Sequence, residues 1–177
     1  MNREPRWLYL VAASAPPVLR IEEFVAALHA DGWKTCLIAT PTAASWVDLP
    51  VLSASTGCLV RVEARRPGES DSMPRADAVI AAPMTFNSIN KWAAGFSDNL
   101  ALGVLNEMLG SDVPIIAAPC VKAALRKHPA YGESVATLGE AGVEMLDPDA
   151  VGFRADDGLM TLDWRQISEA LKVASDR

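Results

Sequence analysis

Apolar residues along this chain fall into two alternating patterns. Residues 7–13 (WLYLVAA), 34–40 (KTCLIAT), 76–83 (ADAVIAAP), 113–118 (VPIIAA) and 143–146 (VEML) are short runs, apolar almost throughout, as expected of parallel strands covered on both faces. Between the runs, apolar positions recur at helical spacing. Leu19, Phe24, Val25, Ala27 and Leu28 precede an Asp31-Gly32 stop; Ile89, Trp92, Ala93 and Phe96 form a second group. Leu100, Leu102, Val104, Leu105, Met108 and Leu109 run up to Gly110. Residues 121–127 and 131–141 also read as helices, the latter closed by Gly142, and a short helical stretch passes through Ala43, Ala44, Trp46 and Val47. Residues 49–76 hold only a weak apolar patch at 58–62 and are predicted as a long loop, most irregular over about 64–75, where Pro67, Gly68 and Pro74 interrupt mixed charge. Turn chemistry at Asp147-Pro148-Asp149 and Asp156-Asp157-Gly158 precedes a last amphipathic helix over 164–173. Strands alternating with helices in this way predict an α/β fold, a three-layer Rossmann-like (flavodoxin-like) sandwich with a mostly parallel sheet. Its 177 residues fit one domain.

Charge narrows the function classes. Sixteen Lys and Arg stand against 22 Asp and Glu, a net charge of -6, which argues against nucleic acid and anionic membrane surfaces as partners. The longest apolar stretch, 8–19, is broken by Ser14, Pro16 and Pro17 and falls short of the roughly 20 residues that cross a bilayer. With no cleavage site after it, the expected location is cytoplasmic. Cys36, Cys58 and Cys120 are widely spaced, and His29 and His128 are the only imidazoles, so neither a disulfide framework nor a metal site is expected.

Ligands of an open parallel sheet settle beyond the carboxyl ends of its strands. Those ends are residues 13–15, 40–42, 83–88 and 119–122, all rich in small or hydroxyl residues. Such residues can bond phosphate or ribityl oxygens, or simply cap the following helices; four such turns on one rim favour a phosphorylated ligand. There is no G-x-G-x-x-G and no P-loop. His29 reads as a surface residue, and His128 as a dipole partner at a helix end or a ligand contact beside the fourth strand's exit.

The segment Pro83-Met84-Thr85-Phe86-Asn87-Ser88-Ile89-Asn90-Lys91-Trp92-Ala93-Ala94-Gly95-Phe96-Ser97-Asp98-Asn99-Leu100 resembles the homo-oligomeric flavin-containing cysteine decarboxylases, whose members carry P-x-S-A-N-T-I-x-K-I-A-x-G-I-x-D-N-L after a strand. The likeness extends more faintly over residues 7–146, through the Thr40-Pro41-Thr42-Ala43 and Pro119 turns; the tail, 147–177, adds little. The resemblance implies a single flavoprotein domain over 1–177, FMN as cofactor, and assembly as a homotrimer or a higher oligomer built from trimers, with the flavin between subunits. It places Ser14 at the phosphate, Thr40 and Thr42 near the cofactor's rim, and Thr85, Phe86, Asn87 and Ser88 around its ribityl chain and ring. Asp98 and Asn99 occupy matching positions, helix capping being the other role open to Asp98. Trp92, on that helix, is expected to be partly buried by a partner subunit.

The departures bear on activity. The family's H-I-x-L histidine, a base near substrate, has no counterpart in 69–74 (ESDSMP). Its P-x-M-N-x-x-M-W, whose Asn binds the substrate carboxylate, is here Pro119-Cys120-Val121-Lys122-Ala123-Ala124-Leu125-Arg126. Lys122 can pair with an anion but lacks the amide's acceptor. A substrate-clamping flap with a reactive Cys late in the chain has no clear counterpart, and the glycine usual in the first turn is Ala13, which narrows a phosphate's approach to the backbone. The expectation is a divergent flavoenzyme acting on a small acid or thiol, a small-molecule or peptide substrate. Lys122 and Cys120 are its candidate catalytic residues, with Glu69 and Asp71 as further recruits; Cys120 reads equally as an inert core residue. The alternatives are a scaffold subunit without chemistry and a flavin prenyltransferase-like enzyme. The latter has only Arg126 and Lys127 to hold a prenyl phosphate, and both read as solvated helix-end charges.

Overall fold

The computed structural model describes residues 5–69 and 73–176. Strands β1 (Arg6–Ala12), β2 (Trp33–Ala39), β3 (Leu59–Arg61), β4 (Ala78–Met84), β5 (Ile115–Pro119) and β6 (Val143–Met145) form one parallel sheet in the order β3-β2-β1-β4-β5-β6. Five of these are the apolar runs of the sequence, and by themselves they stand in the flavodoxin order 2-1-3-4-5. The short edge strand β3 extends that to the Rossmann order 3-2-1-4-5-6.

Period-2 alternation divides each strand between two cores. Leu8, Leu10 and Ala12 of β1 face helix α1 (Ile21–Ala30), which follows a 3-10 turn over Pro16–Arg20. The small helices α2 (Pro41–Ala44) and α3 (Leu49–Thr56) border this side. Tyr9, Val11 and Ala13 face α4 (Phe86–Ala93), α5 (Leu100–Met108) and, beyond α6 (Ala123–Arg126), α7 (Pro129–Glu140). Each large side chain buried on either face contributes about 1.5–3 kcal/mol. The tail completes the first layer: α8 (Pro148–Val151) leads into an antiparallel hairpin, β7 (Gly152–Arg154) and β8 (Met160–Leu162), and then α9 (Trp164–Ser175). From α9, Ile167 and Leu171 join the α1 core, and Trp164 stacks on Phe24 with ring centroids 4.6 Å apart.

Three expectations are corrected. The span 49–76 is not loop throughout: Asp48 caps α3 through the Val51 amide at 3.1 Å, Gly57 ends it in the left-handed region at φ 74, and β3 follows. The apolar residues of α3 have no helical period because one of them alone, Leu52, is buried, and β3 is three half-buried residues at a sheet edge. Trp92 is 1% exposed within a single chain, so it packs the core beneath α4 and offers no surface to a partner. Ala13 does not narrow the ligand rim: it is 1% exposed in the α4-side core, and its φ is not positive. Among the described residues no helix is long and apolar enough to cross a membrane.

Candidate functional site

Strand order reverses between β1 and β4, the point in an open parallel sheet where ligands bind. The exits there are stitched together, the Ala13 amide donating to the Pro83 carbonyl at 2.9 Å and the Cys120 amide to the Met84 carbonyl at 2.8 Å. A cleft of about 670 Å³ opens over them, within the roughly 300–1,000 Å³ of small-molecule and cofactor sites.

One wall comes from the exits of β1 and β4 and holds Ser14, Thr85, Phe86 and Asn87. Thr85 is the N-cap of α4: its hydroxyl accepts from the Ser88 amide at 3.1 Å and donates to the Ser88 hydroxyl at 3.1 Å. The cap leaves the Phe86 and Asn87 amides, in the first turn, without intrahelical acceptors, at the positive end of the helix dipole. Ile89 and Trp92 hold the helix against the sheet. Ser134 of α7 donates to Asn90 at 2.8 Å. His128 caps α7, its Nδ1 accepting from the Ala130 amide at 3.1 Å, and meets Phe86 edge-on at 5.7 Å. It is thus an N-terminal cap rather than a C-terminal dipole partner.

The opposite wall comes from the exit of β5 and the tail. Cys120, Val121 and Lys122 lie at its base, Arg126 on α6 above them, and Asp149, Arg154 and Met160 come from α8 and the hairpin. Both terminal nitrogens of Arg126 bond Asp149, at 2.8 Å each. That bond holds the Asp149 carboxyl below its ordinary value and pushes the guanidinium of Arg126 up. The Arg126 Nε is buried without a partner. Burial pushes the Cys120 thiol up, so Cys120 is a neutral thiol that needs a base before it can attack.

The structure therefore brings Ser14, Thr85, Phe86, Asn87, Cys120 and Lys122 to one cleft. The other predicted residues lie outside its lining. Thr40 caps α2 through the Ala43 amide at 3.3 Å, while Thr42 is exposed beside it. Ser88 is buried under the Thr85 cap. Asp98 pairs with Lys91, and the capping of α5 falls to Asn99, which accepts from the Leu102 amide at 2.9 Å. Glu69 lines a second cavity of about 730 Å³, between α5 and the loop after β3, that shares no residue with the first. Asp71 lies outside the described residues. Asp149, Arg154 and Met160 line the cleft with no signal in the sequence, and Arg126, a candidate there only for a prenyl phosphate, joins them. The turn at Asp147-Pro148-Asp149 marks the start of α8, but no local pattern shows that it returns to the rim.

A family profile described as Flavoprotein matches residues 1–174. Over 99 residues the chain is 32% identical to the coenzyme A biosynthesis bifunctional protein CoaBC of Thermococcus kodakarensis, covering 56% of this chain and 23% of that protein. Over 73 residues it is 33% identical to a cysteine/cysteine sulfinic acid decarboxylase of an unknown prokaryotic organism, covering 41% of this chain and 20% of the relative. The chain spans less than a quarter of the length of these curated relatives. Among solved structures it superposes on the FMN-dependent cysteine decarboxylase TvaF of thioviridamide biosynthesis with a TM-score of 0.77 at 17% identity, over 98% of this chain and all of the other. A PPC decarboxylase complexed with pantothenoylaminoethenethiol gives 0.76 at 15% identity, over 98% and 100%. The peptidyl-cysteine decarboxylase EpiD gives 0.75 at 15% identity, over 96% and 99%. At such identities the likeness is one of fold.

Proposed function

The chain belongs to the flavoprotein family, and from that premise we propose that its cleft holds FMN and that it is a divergent flavoenzyme acting on a small acidic substrate or thiol. The observation that carries this reading is the placement of the 83–88 turn at the reversal of strand order. The segment that resembles flavin-containing cysteine decarboxylases begins on the cleft, with Thr85, Phe86 and Asn87 in its lining.

The residues present fit the cofactor. The Ser14 hydroxyl has no partner among the described residues, and with the unpaired amides of Phe86 and Asn87 it would take phosphate or ribityl oxygens. Phe86, Val121 and Met160 supply apolar surface for a ring system. Bound there, FMN would supply a two-electron acceptor for oxidation of a substrate.

The chain's own chemistry on the facing wall is cation and thiol. Lys122, exposed at the N-cap of α6, orients an anionic group, and Cys120, kept neutral by burial, donates or accepts only weakly. Within one chain neither meets Glu69. We assign the working form to a trimer or a multiple of it, because the flavin of the resembled enzymes lies between subunits.

The test is the visible spectrum of the freshly purified protein, followed by mass analysis of what denaturation releases. A yellow protein that releases FMN at one equivalent per chain is the expected result. A colourless protein that takes up no added FMN would overturn the reading and leave the scaffold role in its place.

A further inference from the structure

His128 touches both walls of the cleft from outside its lining. Its ring meets that of Phe86, on one wall, edge-on at 5.7 Å and 78°. Its backbone amide donates to the carbonyl of Leu125, on the other, at 3.1 Å. Phe86 lines the cleft and opens α4, so what steadies its ring also shapes the surface offered to a flavin.

The His128-Pro129 pair sets this arrangement. Pro129 takes the first position of α7, where its missing amide costs nothing, and His128 lies in the extended region at φ -70 and ψ 133, as a residue before proline prefers. There its carbonyl accepts from the Tyr131 amide at 3.0 Å, and Nδ1 accepts from the Ala130 amide at 3.1 Å. An accepting Nδ1 carries a lone pair, so the proton of the neutral ring is on Nε2. A second proton has only Nδ1 to go to. The imidazolium would then set Nδ1–H against the Ala130 N–H, donor against donor, and place a positive charge at the positive end of the α7 dipole. The cap therefore exists in one protonation state alone. Thr40, Thr85 and Asn99 cap their helices with groups that carry no charge; among the described residues His128 is the one imidazole that caps a helix.

The charged and titratable groups on the elements that meet here are Lys122, Arg126 and Lys127 in and beside α6, Tyr131, Glu133 and Glu140 of α7, Lys91 of α4, and Asp147 and Asp149 at α8. Arg126 is paired with Asp149 and Lys91 with Asp98, and burial pushes the Tyr131 hydroxyl up. None is an imidazole, the side chain whose ordinary change of charge lies between about pH 5 and pH 8. We propose that His128 is a positioning residue for this cleft: as the neutral imidazole it holds Phe86 and the junction of α6 with α7, and on gaining a proton it releases both, so that the cleft binds FMN more weakly in acid. The inference rests on the reading of this cleft as the flavin site and adds a pH-sensitive support to it.

The test is the dissociation constant of FMN, read by flavin fluorescence at pH 8 and pH 5.5, in the wild type, His128→Asn and His128→Ala. The phosphate of FMN titrates in the same range, but alike for all three proteins. Asn can cap a helix and does not titrate there. The wild type should lose about fivefold more affinity between the two pH values than either variant, and at pH 8 the Asn variant should bind closer to wild type than the Ala variant does. Parallel losses in all three proteins overturn the proposal and leave the flavin reading standing. A second measurement needs no flavin: the nuclear Overhauser contact between the His128 and Phe86 rings should be present at pH 8 and lost at pH 5.5. Should the protein refuse FMN at both pH values, the flavin reading fails and this contact alone decides the role of His128, its persistence at pH 5.5 overturning it.

Discussion

The two walls of the cleft are built by different physics. The wall of Ser14, Thr85, Phe86 and Asn87 rides on the centre of the sheet, where β1 and β4 are buried along most of their length and Trp92 locks α4 down at 1% exposure. The facing wall is assembled from the end of the sheet and the tail. It is held by exposed pairs, Arg126 with Asp149 and Arg20 with Asp157 at 2.8 Å, and by short elements of three or four residues. Buried apolar packing gives a fixed surface, while exposed ion pairs give one that salt and acid can loosen. A cofactor needs the first kind of surface, and a group that must admit and release a substrate can use the second.

The sharpest way to break this contrast is through its rigid half. Trp92→Ala removes a fully buried ring under α4 and should cost about 3–5 kcal/mol in urea unfolding, with loss of bound flavin as the Thr85–Ser88 turn slackens. A cost near zero would mean that α4 is not held by the core. Thr85→Ala deletes the cap alone and should cost about 0.5–2 kcal/mol, largely restored by Thr85→Ser. Flavin affinity measured by fluorescence should fall in the alanine variant and recover in the serine.

Acid should separate the walls next. Asp163 caps α9, and its carboxyl is held below the ordinary 3.8 by bonds from the Gln166 side chain first, then from the Gln166 and Arg165 amides. Asp149 and Asp157 are lowered as well, by Arg126 and by the Leu159 amide with Arg20 respectively. A depressed folded value means that the stabilisation is whole above about pH 4 and is lost as the pH falls through that folded value. Hydrogen exchange at pH 3 against pH 6, corrected for intrinsic rates, should therefore show α9 and the hairpin losing protection before α4, whose Thr85 cap carries no charge. Equal loss in both would remove the distinction.

The smallest effect is expected from Asp149→Asn. Asp149 is exposed, so the melting midpoint should barely move. A large fall in midpoint would show that the pair is structural.

Features set by neighbours in sequence are legible in the chain. Strands β1, β2, β4 and β5 are nearly unbroken apolar runs because both faces of a central parallel strand are covered. The 83–88 turn is a cap and the first turn of a helix, set by neighbours in sequence, so its residues were legible and the structure puts Thr85, Phe86 and Asn87 at the cleft. The expectation for Trp92 fails because a helix's place in a resembled family does not say whether the chain itself or a partner covers a given side chain, and here the chain's own core does. Helix α3 and β3 escaped notice because half-exposed elements carry little period, and the three-residue strands of the hairpin carry none.

The sequence by itself determined the α/β alternation, the rim on which a ligand would sit and the rigid wall of the cleft, because each of these follows from short-range patterning. Only the tertiary structure decided that Thr40, Thr42, Asp98 and Asn99 lie off the cleft lining, and that a tail of little apparent content returns to build its charged wall. Arg126 and Asp149 are 23 positions apart. A contact at that separation is chosen by how helices and strands pack in space, and no local spacing along the chain records it.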